Sequence, residues 1–157
     1  TGLDLIHLER IDHGYTVLDN PELTARCARE GIPFTVVPSN TYYLKKWPDA
    51  DQWRKHHPIR QMALAGMNII PATDDWHMHN TNGAECYRVM VEEFGFDLDG
   101  VRQLMLNGIN ACWQPEEIKQ QWRQAWTAEF DALRSKLAHE PQIDPAQHIS
   151  YHRSQTA

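Results

Sequence analysis

The chain of 157 residues is long enough to form one domain with a hydrophobic core. Hydrophobic residues make up 41% and charged residues 23%, which argues against disorder over most of the length. The net charge of -6, with no cationic run longer than Lys45-Lys46, argues against a nucleic-acid partner. No apolar run approaches the roughly 18 residues of a membrane span, which argues against membrane insertion.

The three cysteines Cys27, Cys86 and Cys112 lie far apart and have no CxxC spacing. This pattern predicts reduced thiols in a cytoplasmic protein and not a disulfide framework. No signal peptide opens the chain. The first residue is Thr1 and not methionine, as in a chain that is cut from a longer one or processed at its start.

Strand-like and helix-like segments alternate through the first half of the chain. Residues 8–12 form a short mixed run, and a helix is predicted over Pro21–Glu30 because Asn20 can cap it and Gly31 can end it. Residues 33–37 are a compact β-rich run that ends at a proline.

A second helix is predicted over Pro58–Leu64, and strand character returns over residues 67–73. This β-α-β-α-β order predicts a parallel sheet covered by helices. From Asn82 onward the pattern is helical, and the tryptophans of an amphipathic helix over residues 116–137 are interpreted as a packing stripe. Residues 139–157 are polar and contain proline, and are predicted to form a flexible tail.

Polar side chains follow all three predicted strands. The strands end in Asp12-His13-Gly14, Pro38-Ser39-Asn40 and Thr73-Asp74-Asp75. In a parallel α/β sheet these ends and the loops after them build the active site. Adjacent carboxylates at a strand end point in different directions, so that one can reach a metal while the other faces a substrate. A turn histidine and helix-capping aspartates are the structural alternative, but their joint occurrence at consecutive strand ends favours a functional interpretation.

The sequence contains two further pairs of histidines that could in principle ligate a metal. His77 and His79 have a spacing that could ligate zinc from a strand, but they lie in a predicted loop without a Cys or carboxylate at a matching spacing. Metal binding by this pair is therefore disfavoured. His56 and His57 are interpreted as solvent-facing residues at the start of a helix.

The segments 9–15 (ERIDHGY), 32–40 (IPFTVVPSN) and 73–75 (TDD), together with His57-Pro58-Ile59 and Gly66, resemble motifs of the adenosine/adenine deaminase family. They occur in the same order as in that family, and the match runs from about Leu5 to about Leu137. The order and spacing of the motifs make the resemblance more specific than any single motif.

The resemblance implies an α/β fold, in which residues 1–138 form the last three β/α units of a (β/α)8 TIM barrel and C-terminal helices. It also implies a hydrolase that removes the exocyclic amine of a purine as ammonia and yields inosine or hypoxanthine. By the same resemblance, His13 supports a zinc-bound hydroxide, Asp74 ligates Zn²⁺ and holds the attacking water, and Asp75 binds a ring nitrogen of the purine substrate. Zinc would supply the nucleophile by lowering the pKa of water.

Several family features have no counterpart at a matching position: a His-x-His pair, a third zinc histidine and a Glu proton donor. We therefore expect this chain alone to hold zinc poorly and to be inactive. Because a part-barrel leaves strand edges uncovered, we also expect self-association or pairing with the missing N-terminal half.

Trp76 replaces the family's proline after the paired aspartates, which leaves the shape of that loop open. Two alternatives remain: a degenerate, non-catalytic member that binds a purine or a partner protein, and a small α/β domain unrelated to deamination. The choice between adenosine, adenine and another purine is also open.

Overall fold

Three short parallel strands organise the molecule. The structure, a computed structural model, describes residues 2–39 and 48–152. Strands β1 (Ile11–Asp12), β2 (Pro33–Val36) and β3 (Asn68–Pro71) form one sheet in the order β1-β2-β3. Both pairings are parallel, so the predicted strand order and direction are confirmed, and β2 lies in the centre.

Helices connect and cover the strands. Their bounds are α1 (Gly2–Leu5), a 3-10 helix (Tyr15–Asp19), α2 (Pro21–Glu30), α3 (Ala50–His56), α4 (Pro58–Leu64), α5 (Trp76–His79), α6 (Gly83–Glu92), α7 (Leu98–Ala111) and α8 (Glu116–Arg134). The predicted ends of α2 are confirmed: the Asn20 side chain accepts a hydrogen bond from Leu23 N at 3.0 Å, and Gly31 closes the helix with φ 68°. Local capping signals therefore place this helix correctly.

The two faces of β2 differ. Phe34 and Val36 of β2 are fully buried in the core, together with Ile69 of β3. Thr35 points to the opposite face, where its hydroxyl donates to the Asp12 carboxylate at 2.6 Å. The alternation follows from the two-residue period of a strand. One face thus carries the hydrophobic core, and the other carries the Thr35–Asp12 hydrogen bond beside Ile70 of β3.

The interpretation of His57 as solvent-facing is wrong. Its side chain is fully buried, with its ring centroid 4.5 Å from that of Phe94 and 5.9 Å from that of Trp53. Nδ1 accepts a hydrogen bond from Ile59 N at 3.1 Å and so caps α4. Because its ring packs between Trp53 and Phe94 while Nδ1 caps the helix, His57 lies in the core, whereas His56 stays exposed.

The prediction of a flexible tail from residue 139 is also corrected. Residues 147–151, here called the C-terminal strap, pack on the core: Ile149 and Tyr151 are each only 1% exposed. Ile149 N donates to Gly95 O at 2.8 Å, and the Tyr151 hydroxyl donates to Met67 O at 2.8 Å. Two apolar residues in a polar segment give no periodic signal, which is why the sequence did not reveal this packing.

The strap also closes part of the outer edge of β3. Ile69 N donates to the Tyr151 hydroxyl at 3.3 Å, and Asn107 Nδ2 donates to Ile69 O at 2.9 Å. The next residue whose backbone groups point away from β2 is Pro71, which has no backbone N–H to donate. The Tyr151 and Asn107 side chains therefore hydrogen-bond the N–H and C=O of Ile69, which could otherwise pair with a neighbouring strand.

The long helix α8 is less enclosed than its apolar stripe predicts. None of its residues is buried, and Trp126 and Leu133 are 44% and 56% exposed. Trp122 and Trp126 stack on each other with centroids 5.6 Å apart. The interpretation as a packing stripe thus holds only in part within the described residues.

The three cysteines form no disulfide, in agreement with the prediction of reduced thiols. Cys27 and Cys86 are buried free thiols, and Cys112 is half-buried and also free.

Among the helices of residues 2–39 and 48–152, none combines the length and the apolar character that a membrane crossing requires.

A truncation tests the packing of the strap. Ending the protein after Ala146 removes the buried Ile149 and Tyr151, so we expect the free energy of unfolding to fall by about 3 kcal/mol or more. Urea denaturation measures the change. The matched control ends after His152 and removes only residues 153–157, and it should unfold like the complete protein. Equal stability of the two truncated proteins would show that the strap does not support the core.

Candidate active site

His13 and Asp74 meet across the carboxyl end of the central strand. His13 directly follows β1, and Asp74 lies three residues after β3. His13 Nε2 and Asp74 Oδ2 are 3.8 Å apart, and the two side chains are 45% and 40% exposed. The structure thus brings together two of the three predicted site residues in a place that solvent and a ligand can reach.

Both residues have an uncommon backbone conformation. His13 has φ 62° and Asp74 has φ 56°, in the left-handed region that non-glycine residues seldom occupy. Gly14 continues the turn with φ 63°, and a Cβ there would lie 2.8 Å from side-chain atoms of Ile11 and Phe34. His13 N donates to Thr35 O at 2.9 Å, which fixes the start of the turn to β2. Strain at two residues that face each other is a feature of functional sites.

Asp75 has a different neighbour. Its Oδ1 accepts a hydrogen bond from Met78 N at 3.4 Å and caps the short helix α5. The helix-cap alternative therefore describes Asp75, while Asp74 faces His13. The two adjacent carboxylates point to different partners, as expected for successive residues after a strand.

The second strand end is described only in part. Ser39 Oγ is buried and has no hydrogen-bond partner among the described residues. Asn40 lies outside the described residues, so the predicted Ser39-Asn40 pair cannot be placed as a unit.

His77 and His79 lie in different surroundings on the short helix α5. His77 is exposed and lies against the Trp76 ring with centroids 3.7 Å apart, whereas His79 is only 9% exposed. Within residues 2–39 and 48–152, no group of three or more His, Cys, Asp or Glu side chains could hold a metal ion.

Asp74 and His13 suit a zinc site without completing one. Zinc in proteins is bound by carboxylate oxygen, imidazole nitrogen and thiolate sulfur, in catalytic sites by three protein ligands. The Asp74 carboxylate and the His13 imidazole are of these types and are accessible, but the described residues add no third ligand beside them. We therefore assign no complete metal centre to residues 2–39 and 48–152.

Tyr15 is a further site residue, to which sequence reasoning gave no role. Its hydroxyl accepts a hydrogen bond from Val37 N at 2.8 Å, and its ring centroid is 6.0 Å from that of His13. Burial, together with the negative charge of Asp74, raises the pKa of Tyr15 to about 12. The aromatic residue directly after His-Gly was the available signal, but it does not by itself show where the ring lies.

The family profile of adenosine deaminase matches residues 1–127 of this chain. An adenine deaminase of Chelativorans sp. is 32% identical over 118 residues, which cover 75% of this chain and 35% of that protein. An adenine deaminase of Cupriavidus necator is 31% identical over 114 residues, which cover 73% of this chain and 31% of that protein. The chain thus spans about a third of the length of these curated relatives.

Solved structures show the same relationship. An amidohydrolase of Burkholderia ambifaria with bound zinc has a TM-score of 0.82 and 49% identity, over 88% of this chain and 38% of that chain. An adenine deaminase of Arthrobacter aurescens has a TM-score of 0.72 and 22% identity, over 85% of this chain and 38% of that chain, and shows the fold alone. The α/β fold is therefore that of part of an amidohydrolase-type TIM barrel.

These matches exclude an α/β domain unrelated to deamination. The profile covers most of the chain, and it includes the strand ends that carry His13 and Asp74. The chain belongs to the adenosine deaminase family.

Proposed function

We propose that this chain is part of a zinc-dependent purine deaminase and supplies His13 and Asp74 to its active site. In the reaction, water adds to the ring carbon that bears the exocyclic amine, and ammonia leaves. Adenosine would give inosine, and adenine would give hypoxanthine. The observation that carries the proposal is the approach of His13 Nε2 to Asp74 Oδ2, at 3.8 Å, from two strands that flank a third.

The three strands, in this proposal, are the last three of a (β/α)8 barrel. Support comes from their parallel order and from the face on which Thr35 and Asp12 are hydrogen-bonded. In a barrel the face opposite the helices points inward, and the strand ends open onto the active site. Earlier barrel units, from sequence not included in this chain, would supply the other walls of the site. A barrel strand beside β3 would there replace the bonds of Tyr151 and Asn107 to Ile69.

Each of the three residues has a distinct role. Asp74 would provide one oxygen ligand to zinc and would hold the attacking water through its other oxygen. His13, whose Nε2 faces this carboxylate, would orient the nucleophile and hold a proton there. Bound zinc would lower the pKa of water toward neutrality. Asp75 would share a hydrogen bond with a purine ring nitrogen, since only its Oδ1 is used by the cap.

The described residues do not complete this machinery. They contain no cluster of three or more potential metal ligands, and the proposed ligand Asp74 lies 3.8 Å from His13. This supports the proposal that the chain alone holds zinc weakly and is inactive, and that the remaining ligands and the proton donor come from other parts of the enzyme.

Substitutions at His13 and Asp74 test the assignment in the longest natural polypeptide that contains this sequence. With zinc present we expect ammonia release from adenine or adenosine, and a loss of about 100-fold or more in kcat for His13→Ala and Asp74→Asn. The exposed residues His56 and Asp51 supply the controls His56→Ala and Asp51→Asn, which should keep wild-type rates.

A wild-type protein that releases no ammonia from either purine, yet binds one of them in calorimetry, would favour the degenerate, non-catalytic alternative. Wild-type rates for the variants of His13 and Asp74 would show instead that the active site lies elsewhere.

Asp75→Asn separates capping from substrate binding. Asparagine caps a helix as well as aspartate, so the thermal midpoint of unfolding should stay unchanged. Because Oδ1 of the asparagine would serve the cap, only a neutral N–H donor would face the purine ring in place of the carboxyl group, and we expect kcat/KM to fall by about 10-fold or more. Asp75→Ala should lose both cap and activity. If Asp75→Asn is as active as the wild type, Asp75 is a helix cap only.

The partner surface consists of exposed apolar side chains at the start of the chain and of Trp113, whose indole N–H donates to the Glu9 carboxylate at 2.9 Å. Leu5 and Ile6 are 78% and 69% exposed, and Trp113 is 67% exposed. We propose that these surfaces pair with the preceding segment of the enzyme or, in its absence, with a second copy of the chain. Sedimentation velocity of the isolated chain should show species above 18.2 kDa, or co-sedimentation with the preceding segment. A single species of monomer mass that does not co-sediment with that segment would contradict the proposal.

A further inference from the structure

The imidazole of His13 has few contacts of its own. It lies in a turn where His13 and Gly14 both have left-handed backbone conformations, and its side chain is 45% exposed. The backbone bond from His13 N to Thr35 O fixes the main chain but not the ring. Among the described residues, the ring contacts seen for His13 are those with Asp74 and Tyr15.

Tyr15 is anchored at both ends. Its hydroxyl accepts the Val37 N–H at 2.8 Å, at the carboxyl end of β2, and its ring makes an edge contact with His57 at a centroid distance of 6.4 Å. His57 is fully buried and packs against Phe94. One side chain thus connects the exposed His13 ring to the central strand and to the hydrophobic core.

From this arrangement we infer that Tyr15 is a positioning residue, which holds the His13 imidazole toward Asp74. Its kinetic consequence rests on the proposed function. The hydroxyl acts as a fixed acceptor for the Val37 N–H at the end of the central strand. Removing the hydroxyl leaves Val37 N–H without its partner and lets the Tyr15 ring, and His13 with it, move.

The test compares Tyr15→Phe with Tyr87→Phe in the longest natural polypeptide that contains this sequence. Tyr87 is a matched control, since it too is partly buried against the core and burial raises its pKa to about 12. We expect kcat of Tyr15→Phe to fall about 10- to 100-fold with KM changed less than about two-fold, because a displacement of about 1 Å costs up to this factor. Tyr87→Phe should keep the wild-type kcat.

A second measurement does not depend on activity. In protein labelled with ¹³C-histidine, the His13 ring resonance is identified by its loss in His13→Asn. We expect it to shift and broaden in Tyr15→Phe and to stay unchanged in Tyr87→Phe. An unchanged His13 resonance, or a kcat equal to that of Tyr87→Phe, would overturn the role of Tyr15. Failure of the proposed function shows separately, as a wild-type protein that releases no ammonia.

Discussion

The parallel pairing of β2 with both of its neighbours is the constraint on which the site depends. Phe34 lies opposite Ile11 on one side and Ile69 on the other, so the three strands end at the same edge of the sheet. Burial of Phe34 fixes this register, because a slip of one residue would turn the apolar side chains of the strand away from the core. His13 and Asp74 meet only while both registers hold.

The strain at the site is offset by distant parts of the chain. Left-handed conformations at His13 and Asp74 cost on the order of 1–3 kcal/mol each, and they persist where the surrounding structure determines them strongly. Tyr15 fastens the first turn to the end of β2, whereas Asn107 and Tyr151 hold the strand that leads to Asp74. The C-terminal strap thus supports the strand that leads to the candidate site, although it lies far from that site in sequence.

Local signals in the sequence were sufficient for much of the fold. Asn20 and Gly31 mark the ends of α2, and the alternation of apolar strands and helices gives the parallel sheet. Contacts between distant residues left no such signal: Tyr151 reaches Met67 across 84 positions. The order of the motifs predicted that His13 and Asp74 share a site, and the two side chains lie 3.8 Å apart, but two adjacent aspartates look alike in sequence. Only the geometry shows that Asp75 caps a helix while its neighbour faces His13.

If Asp74 ligates zinc beside His13, as proposed, anomalous X-ray scattering at the zinc edge will locate the metal at that carboxylate. The measurement would use crystals of the longest natural polypeptide that contains this sequence, grown with zinc. We expect an anomalous peak bonded to an Asp74 carboxylate oxygen, with the His13 ring next to it. A zinc peak at His77 or His79, with none at Asp74, would exclude Asp74 as the zinc ligand.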